Sequence, residues 1–182
     1  MSDLSSIHLT KQRNQQPKVG ISACLVGDNV RYDGGDKYHQ LINKELSPWL
    51  DLQVICPEVE AGLGIPRPPI HLVEYQGGTR ALGVEHKDLD VTDRLEAAAQ
   101  QLTKSQPQDL CAYIVKSRSP SCGAGSTPSY DITNKQVGSG DGLFVRALKT
   151  AHPNIVVIEE SSLSDTQRCK EFLEQCYLLS EL

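Results

Sequence analysis

The chain has 182 residues, of which 38% are hydrophobic and 23% charged, with a formal net charge of −5. That length supports a sizeable core within one domain, and the acidic balance argues against non-specific binding to nucleic acid. No apolar stretch approaches the roughly 20 residues of a membrane-spanning helix, and residues 1–17 are polar without a signal-type apolar segment. We therefore expect a disordered leader over 1–17, a single domain over 18–182 and a cytoplasmic location.

In chain order, the apolar run VGISACLV predicts a strand over 19–26. Tyr38, Leu41 and Ile42, at helical spacing, predict a helix over 36–46. DLQVIC predicts a second strand over 51–56. Residues 57–90 are rich in proline and glycine and read as a long connection, with a strand-like excursion at IHLVEY (70–75). Asp90 or Thr92 can cap a helix running to about 104, with Val91, Leu95, Ala98 and Leu102 on one face. LCAYIVK (110–116) reads as a third strand, apolar throughout as befits a parallel strand covered on both faces. Residues 117–140 read as a second long loop. DGLFVRALKTA (141–151) predicts a helix that buries Phe144, Ala147, Leu148 and Ala151. NIVVIEE (154–160) is a fourth strand, and 164–179 a closing helix.

Alternating strands and helices predict an α/β fold with a mainly parallel sheet and right-handed crossovers. In such sheets ligands bind beyond the carboxyl ends of the strands. Three of the six cysteines fall there: Cys24 near the end of the first strand, Cys56 ending the second and Cys122 just past the third. Both long loops start at the same edge, and loops of that length in a compact domain are usually functional.

Converging thiols admit several chemistries. They suit an iron–sulfur cluster, where three ligands on four irons leave one iron open. They also suit zinc with a histidine, or one nucleophilic cysteine beside two buried bystanders. All three would equally pass as small buried hydrophobes. No C-x-x-C pair occurs, and the five histidines show no metal-binding spacing. Cys111, inside a strand, and Cys169 and Cys176, on one helix face with Phe172 and Leu173, read as core. Asp33 in R-Y-D-G is either a turn acceptor or a proton-handling carboxylate. Glu58 in C-P-E-V is either a general base or a solvated loop acid. Arg67 in P-R-P-P suits a substrate clamp or a partner for Glu58. G-S-G-D-G (138–142), before a helix, could present amides to an anion or simply start that helix.

The stretches VGISACLVGDNVRYDGG, ICPEVEAGLGIPRPP, DVTDRL and VKSRSPSCGAG, in this order, resemble the TudS-type thiouracil desulfidase family, formerly a conserved domain of unknown function. The resemblance runs from about residue 18 to about 160. It implies a Rossmann-like, three-layer domain with about four to five mainly parallel strands. It also implies a [4Fe-4S] cluster on Cys24, Cys56 and Cys122 with one open iron. The implied reaction is a non-redox, hydrolase- or lyase-type removal of sulfur from a thiolated pyrimidine, the substrate sulfur binding the open iron. On the same ground Glu58, Ser119 and Asp33 are the catalytic candidates, and Arg67 and Ser121 the substrate-binding ones. The alternatives are a cluster-free persulfide sulfurtransferase using Cys122 and a non-catalytic zinc module. Relatives that act on tRNA carry a further carboxy-terminal domain, so a free base or small nucleoside is the expected substrate here.

Overall fold

The computed structural model describes residues 15–181; the expected leader lies almost wholly outside them. Four strands, β1 (Lys18–Ser22), β2 (Asp51–Ile55), β5 (Leu110–Val115) and β8 (Val156–Glu159), form one sheet in the order β2-β1-β5-β8. Every pairing in it is parallel. Parallel strands place all their carboxyl ends on one edge, so the segments after β1, β2 and β5 emerge side by side.

The sheet is covered on both faces. Ile21 of β1 and Ala112 and Ile114 of β5 pack against Phe172, Leu173 and Cys176 of α4 (Thr166–Leu179) and against Ile42 and Leu46. Tyr113 and Val115 point the other way. They pack against Ala99 and Leu102 of α2 (Thr92–Ser105) and Phe144, Val145 and Leu148 of α3 (Leu143–Ala151). The result is the expected three-layer α/β architecture. Cys111, Cys169 and Cys176 are buried in the first of these layers, as read from sequence. On α3 the buried side is Leu143, Phe144, Val145 and Leu148, while Ala151 is exposed, a correction to the expected face.

The first strand is shorter than its apolar run. Residues Ala23–Val26 turn as a 3-10 helix and end at Gly27, whose φ of 101° suits glycine. The expected helix over 36–46 starts late, because the Asp36 carboxylate accepts from the Tyr38 amide at 2.8 Å and the Lys37 amide donates to the Cys24 carbonyl at 2.8 Å. Those bonds compete with a helical turn. Helical structure then runs from Gln40 to Trp49, and Ile42–Leu46 within it is a π turn.

The two long loops are not structureless. After α1 (Pro57–Glu60), the first folds into the hairpin β3 (Ile70–Tyr75) and β4 (Gly78–Gly83). The second contributes β6 (Thr127–Tyr130) and β7 (Gln136–Gly140). Together they build a second sheet in the order β4-β3-β6-β7, which the sequence reading missed.

Gly142, just before α3, meets the cysteine loop so closely that a Cβ there would stand 2.5 Å from the Ser121 carbonyl and 2.9 Å from the Cys122 nitrogen. Backbone on both sides cannot yield cheaply. Gly142→Ala should therefore cost about 1–3 kcal/mol in urea unfolding; an unchanged midpoint would contradict this contact.

Candidate active site

The three strand ends meet at a cavity of about 410 Å³ whose wall includes Cys24, Cys56 and Cys122. Cys24 sits in the 3-10 turn after β1. Cys56 directly follows β2, where Pro57 opens α1. Cys122 lies in the loop after β5. Burial pushes the Cys24 thiol up to about 11, helped by the nearby Cys56, while Arg31 and Lys116 act in the opposite sense. Burial also raises Cys56 and Cys122, and Cys122 feels the charges of both other cysteines. All three cysteines line the same cavity.

Glu58 is the best-held carboxylate there. Its Oε2 accepts from Arg67 Nε at 2.8 Å and pairs with Arg67 Nη2 at 2.8 Å, while its Oε1 accepts from the Ser121 hydroxyl at 3.0 Å. The side chains of Glu58 and Arg67 are 12% and 5% exposed, so the pair is well shielded from water. Arg67 is itself fixed through Nη1 to the Gly64 carbonyl at 2.9 Å and its amide to the Tyr32 carbonyl at 2.8 Å. Of the two roles open to Arg67, partnership with Glu58 is the one the geometry carries, although its side chain also faces the cavity.

Ser121 is fully buried and is absent from the cavity wall. Rather than meeting a substrate directly, it stands behind Glu58 and orients it. Ser119 does line the cavity. Its Oγ accepts from the amides of Cys122 at 3.1 Å and Ser121 at 3.3 Å, which shapes the loop around the cysteine. Asp33 lies off the cavity wall, with a side chain 49% exposed. It accepts from the Gly35 amide at 3.1 Å, and that bond, with Arg31 nearby, holds its carboxyl below the usual range. Its carboxylate thus serves as a turn acceptor set back from the cavity.

The glycine-rich start of α3 offers no anion site. Its amides already donate to the loop: Gly142 to Gly123 O at 2.8 Å, Leu143 to Pro120 O at 3.0 Å and Phe144 to Ser121 O at 3.0 Å. The helix thus braces the Cys122 segment.

Sequence reasoning missed Lys116, Ser117 and Glu160. Glu160, 8% exposed, pairs with Lys116 and accepts from the Ser117 amide at 2.6 Å and hydroxyl at 2.8 Å. Burial opposes its charge, but the bonds from Lys116 and Ser117 outweigh that and hold its carboxyl below the ordinary 4.5. The resulting stability is complete above the unfolded-state value and is lost as pH falls through the folded one. Glu160→Gln should therefore show a smaller fall in Tm than the parent between about pH 6 and pH 3. Equal acid-induced falls would contradict the assignment. The only sequence signal for this group was Lys116 and Glu160 each sitting at a strand's carboxyl end.

Three thiols on one cavity wall are the donor type that an iron–sulfur cluster takes. Among the described residues no three His, Cys, Asp or Glu side chains are placed to chelate one metal ion. A four-iron cluster is bridged by its own sulfides and takes thiolates at separate corners. The Tyr113 hydroxyl, buried without a hydrogen-bond partner among the described residues, packs in the same cluster as Cys122. No helix among the described residues is long and apolar enough to cross a membrane.

Known proteins resemble this chain over most of its length. The uncharacterised protein YbbK of Bacillus subtilis (strain 168) is 32% identical over 151 residues, spanning 80% of this chain and 97% of that one. The solved structure of the [4Fe-4S]-dependent thiouracil desulfidase TudS matches with a TM-score of 0.61 at 28% identity, over 86% of this chain and 99% of its own. The family model described as 2-thiouracil desulfurase matches residues 19–160, from Val19 in β1 to Glu160 just after β8, and the chain belongs to that family.

Proposed function

We propose that the protein is a [4Fe-4S]-dependent, non-redox desulfidase that converts a thiolated pyrimidine, of the 2-thiouracil or 4-thiouracil type, to uracil and sulfide. The observation that carries this reading is the meeting of three thiols from adjacent strand ends on one cavity wall with Glu58 and Ser119 beside them. Cys24, Cys56 and Cys122 would hold the cluster, with the basic side chains of Arg31 and Lys116 on the same cavity wall. When bound, the cluster supplies an iron Lewis acid for the substrate's sulfur.

The chain's own residues supply the rest. Val30, Ile55, Pro69 and Ile70 give the cavity an apolar lining suited to a planar ring. Arg67 and Ser121 hold both oxygens of Glu58 in place, so its carboxylate is pre-oriented as a general base. Glu58 takes a proton from water, the water oxygen bonds to the ring carbon, and that carbon's bond to sulfur breaks. Water and the thione become the oxo base and hydrogen sulfide, with no change in oxidation state. Ser119 keeps its own O–H to orient the ring or pass the proton, since its Oγ only accepts from the loop amides.

The test is direct. Reconstituted protein is incubated without air with 2-thiouracil and, separately, 4-thiouracil. Loss of the thione absorbance with equimolar uracil and sulfide is expected from at least one. Cluster-loaded protein that consumes neither would sink the proposal.

A further inference from the structure

The loop that carries Cys122 is held at both feet by consecutive acids at the end of β8. At its start, Glu160 pairs with Lys116 and accepts from the Ser117 amide and hydroxyl. At its end, Glu159 Oε1 accepts from the Ala124 amide at 2.7 Å and the Ser126 hydroxyl at 2.5 Å. Ser126 in turn joins the two feet, because its Oγ accepts from the Arg118 amide at 2.7 Å. Arg118 has a φ of 59°, a left-handed backbone that needs such support. Consecutive residues of an extended chain point to opposite sides, so two adjacent carboxylates reach two separate segments.

Neither acid lines the cavity. Both hold the loop through charge-assisted bonds, which are stronger than neutral ones. β8 pairs with β5, the strand that leads into the loop, with Glu159 opposite Val115. The clamp therefore ties the loop to the sheet edge from which Cys24 also emerges. Inside the feet, Thr127 Oγ1 donates to the Ser119 carbonyl at 2.7 Å, and the Gly123 amide donates to the same oxygen at 2.9 Å.

We infer that Glu159 and Glu160 are positioning residues for Cys122: together they set the loop so that this sulfur stays buried and in register with Cys24 and Cys56. The functional weight of the inference rests on the proposed cluster, but the clamp itself does not require iron.

The experiment therefore uses the metal-free full chain under reducing conditions. Iodoacetamide labelling of each cysteine is followed by peptide mass spectrometry in the parent, Glu159→Ala and Glu160→Gln. Cys122 is 7% exposed and should label slowly in the parent. Releasing one foot should speed its labelling about tenfold or more, as local opening of a loop does. Cys169, 0% exposed on α4, reports global unfolding and should stay protected. Unchanged Cys122 labelling in Glu159→Ala would overturn the inference, and so would a rise matched at Cys169. Glu159→Ala carries the test if Glu160→Gln fails to fold, because it removes the oxygen that both end-foot bonds share and leaves no buried cation unpaired. Iron uptake by the parent is measured separately, so a failure of the cluster reading is distinguishable from a failure of the clamp.

Discussion

Cys24→Ala, purified and reconstituted without air, should fold like the parent yet fail to retain iron and lose desulfidation. Cys24 is 8% exposed and faces the cavity, so trimming its sulfur disturbs little core. Loss of a residue that only supports a metal ligand costs about 10–100-fold in affinity or activity, and loss of a ligand itself should exceed that. Cys56→Ala and Cys122→Ala should behave alike. Cys169→Ala is the control, since that sulfur is buried on α4 and does not line the cavity. It should lose stability, by about 1 kcal/mol or more for a buried group, and keep its iron. Desulfidation retained by Cys24→Ala would contradict the assignment, as would iron loss in Cys169→Ala.

The second large effect is at Glu58. Glu58→Gln preserves shape but removes the base, and kcat should fall by about 10²–10⁴. The same change leaves the buried Arg67 without its anion, and breaking a buried pair in this way typically costs about 3–5 kcal/mol. Activity and stability must therefore be read together. Ser121→Ala separates them, because it frees Glu58 Oε1 without touching the ion pair. It should lower kcat less than Glu58→Gln and leave iron content unchanged. Glu58→Gln with normal kcat in folded, iron-loaded protein would remove the glutamate from the mechanism.

Much of the fold was legible because its first sheet is buried on both faces. LCAYIV and VGIS are apolar without interruption, and that is the mark of a covered parallel strand. The cysteines could be placed from the same reading, since parallel strands deliver their carboxyl ends to one edge. The second sheet was illegible for the opposite reason. TPSY and QVGSG are short, carry proline or glycine and expose most of β7, so no hydrophobic period marks them. The hairpin's second strand, GTRALG, hides its buried Ala81 and Leu82 behind turn-forming residues.

At the site, residue types were easier to read than directions. Glu58 and Ser121 were both singled out, but only the fold shows that the hydroxyl serves the carboxylate from behind. Asp33 was open to a turn or a proton-handling role on its local pattern, and the fold shows its carboxylate bonded to the Gly35 amide. Glu159 gave no signal, and Glu160 gave only its place at a strand's carboxyl end. Their partners lie 33–44 residues away in sequence, and two acids after a strand look like an ordinary solvated end.

The central claim is that Cys24, Cys56 and Cys122 together hold a four-iron cluster. The most direct measurement is iron and acid-labile sulfide per chain, with a visible absorption spectrum, after reconstitution without air. The account predicts about four of each, with a broad iron–sulfur absorbance. Protein that takes up no iron while all three thiols remain intact would contradict it, and would move a persulfide on Cys122 to first place.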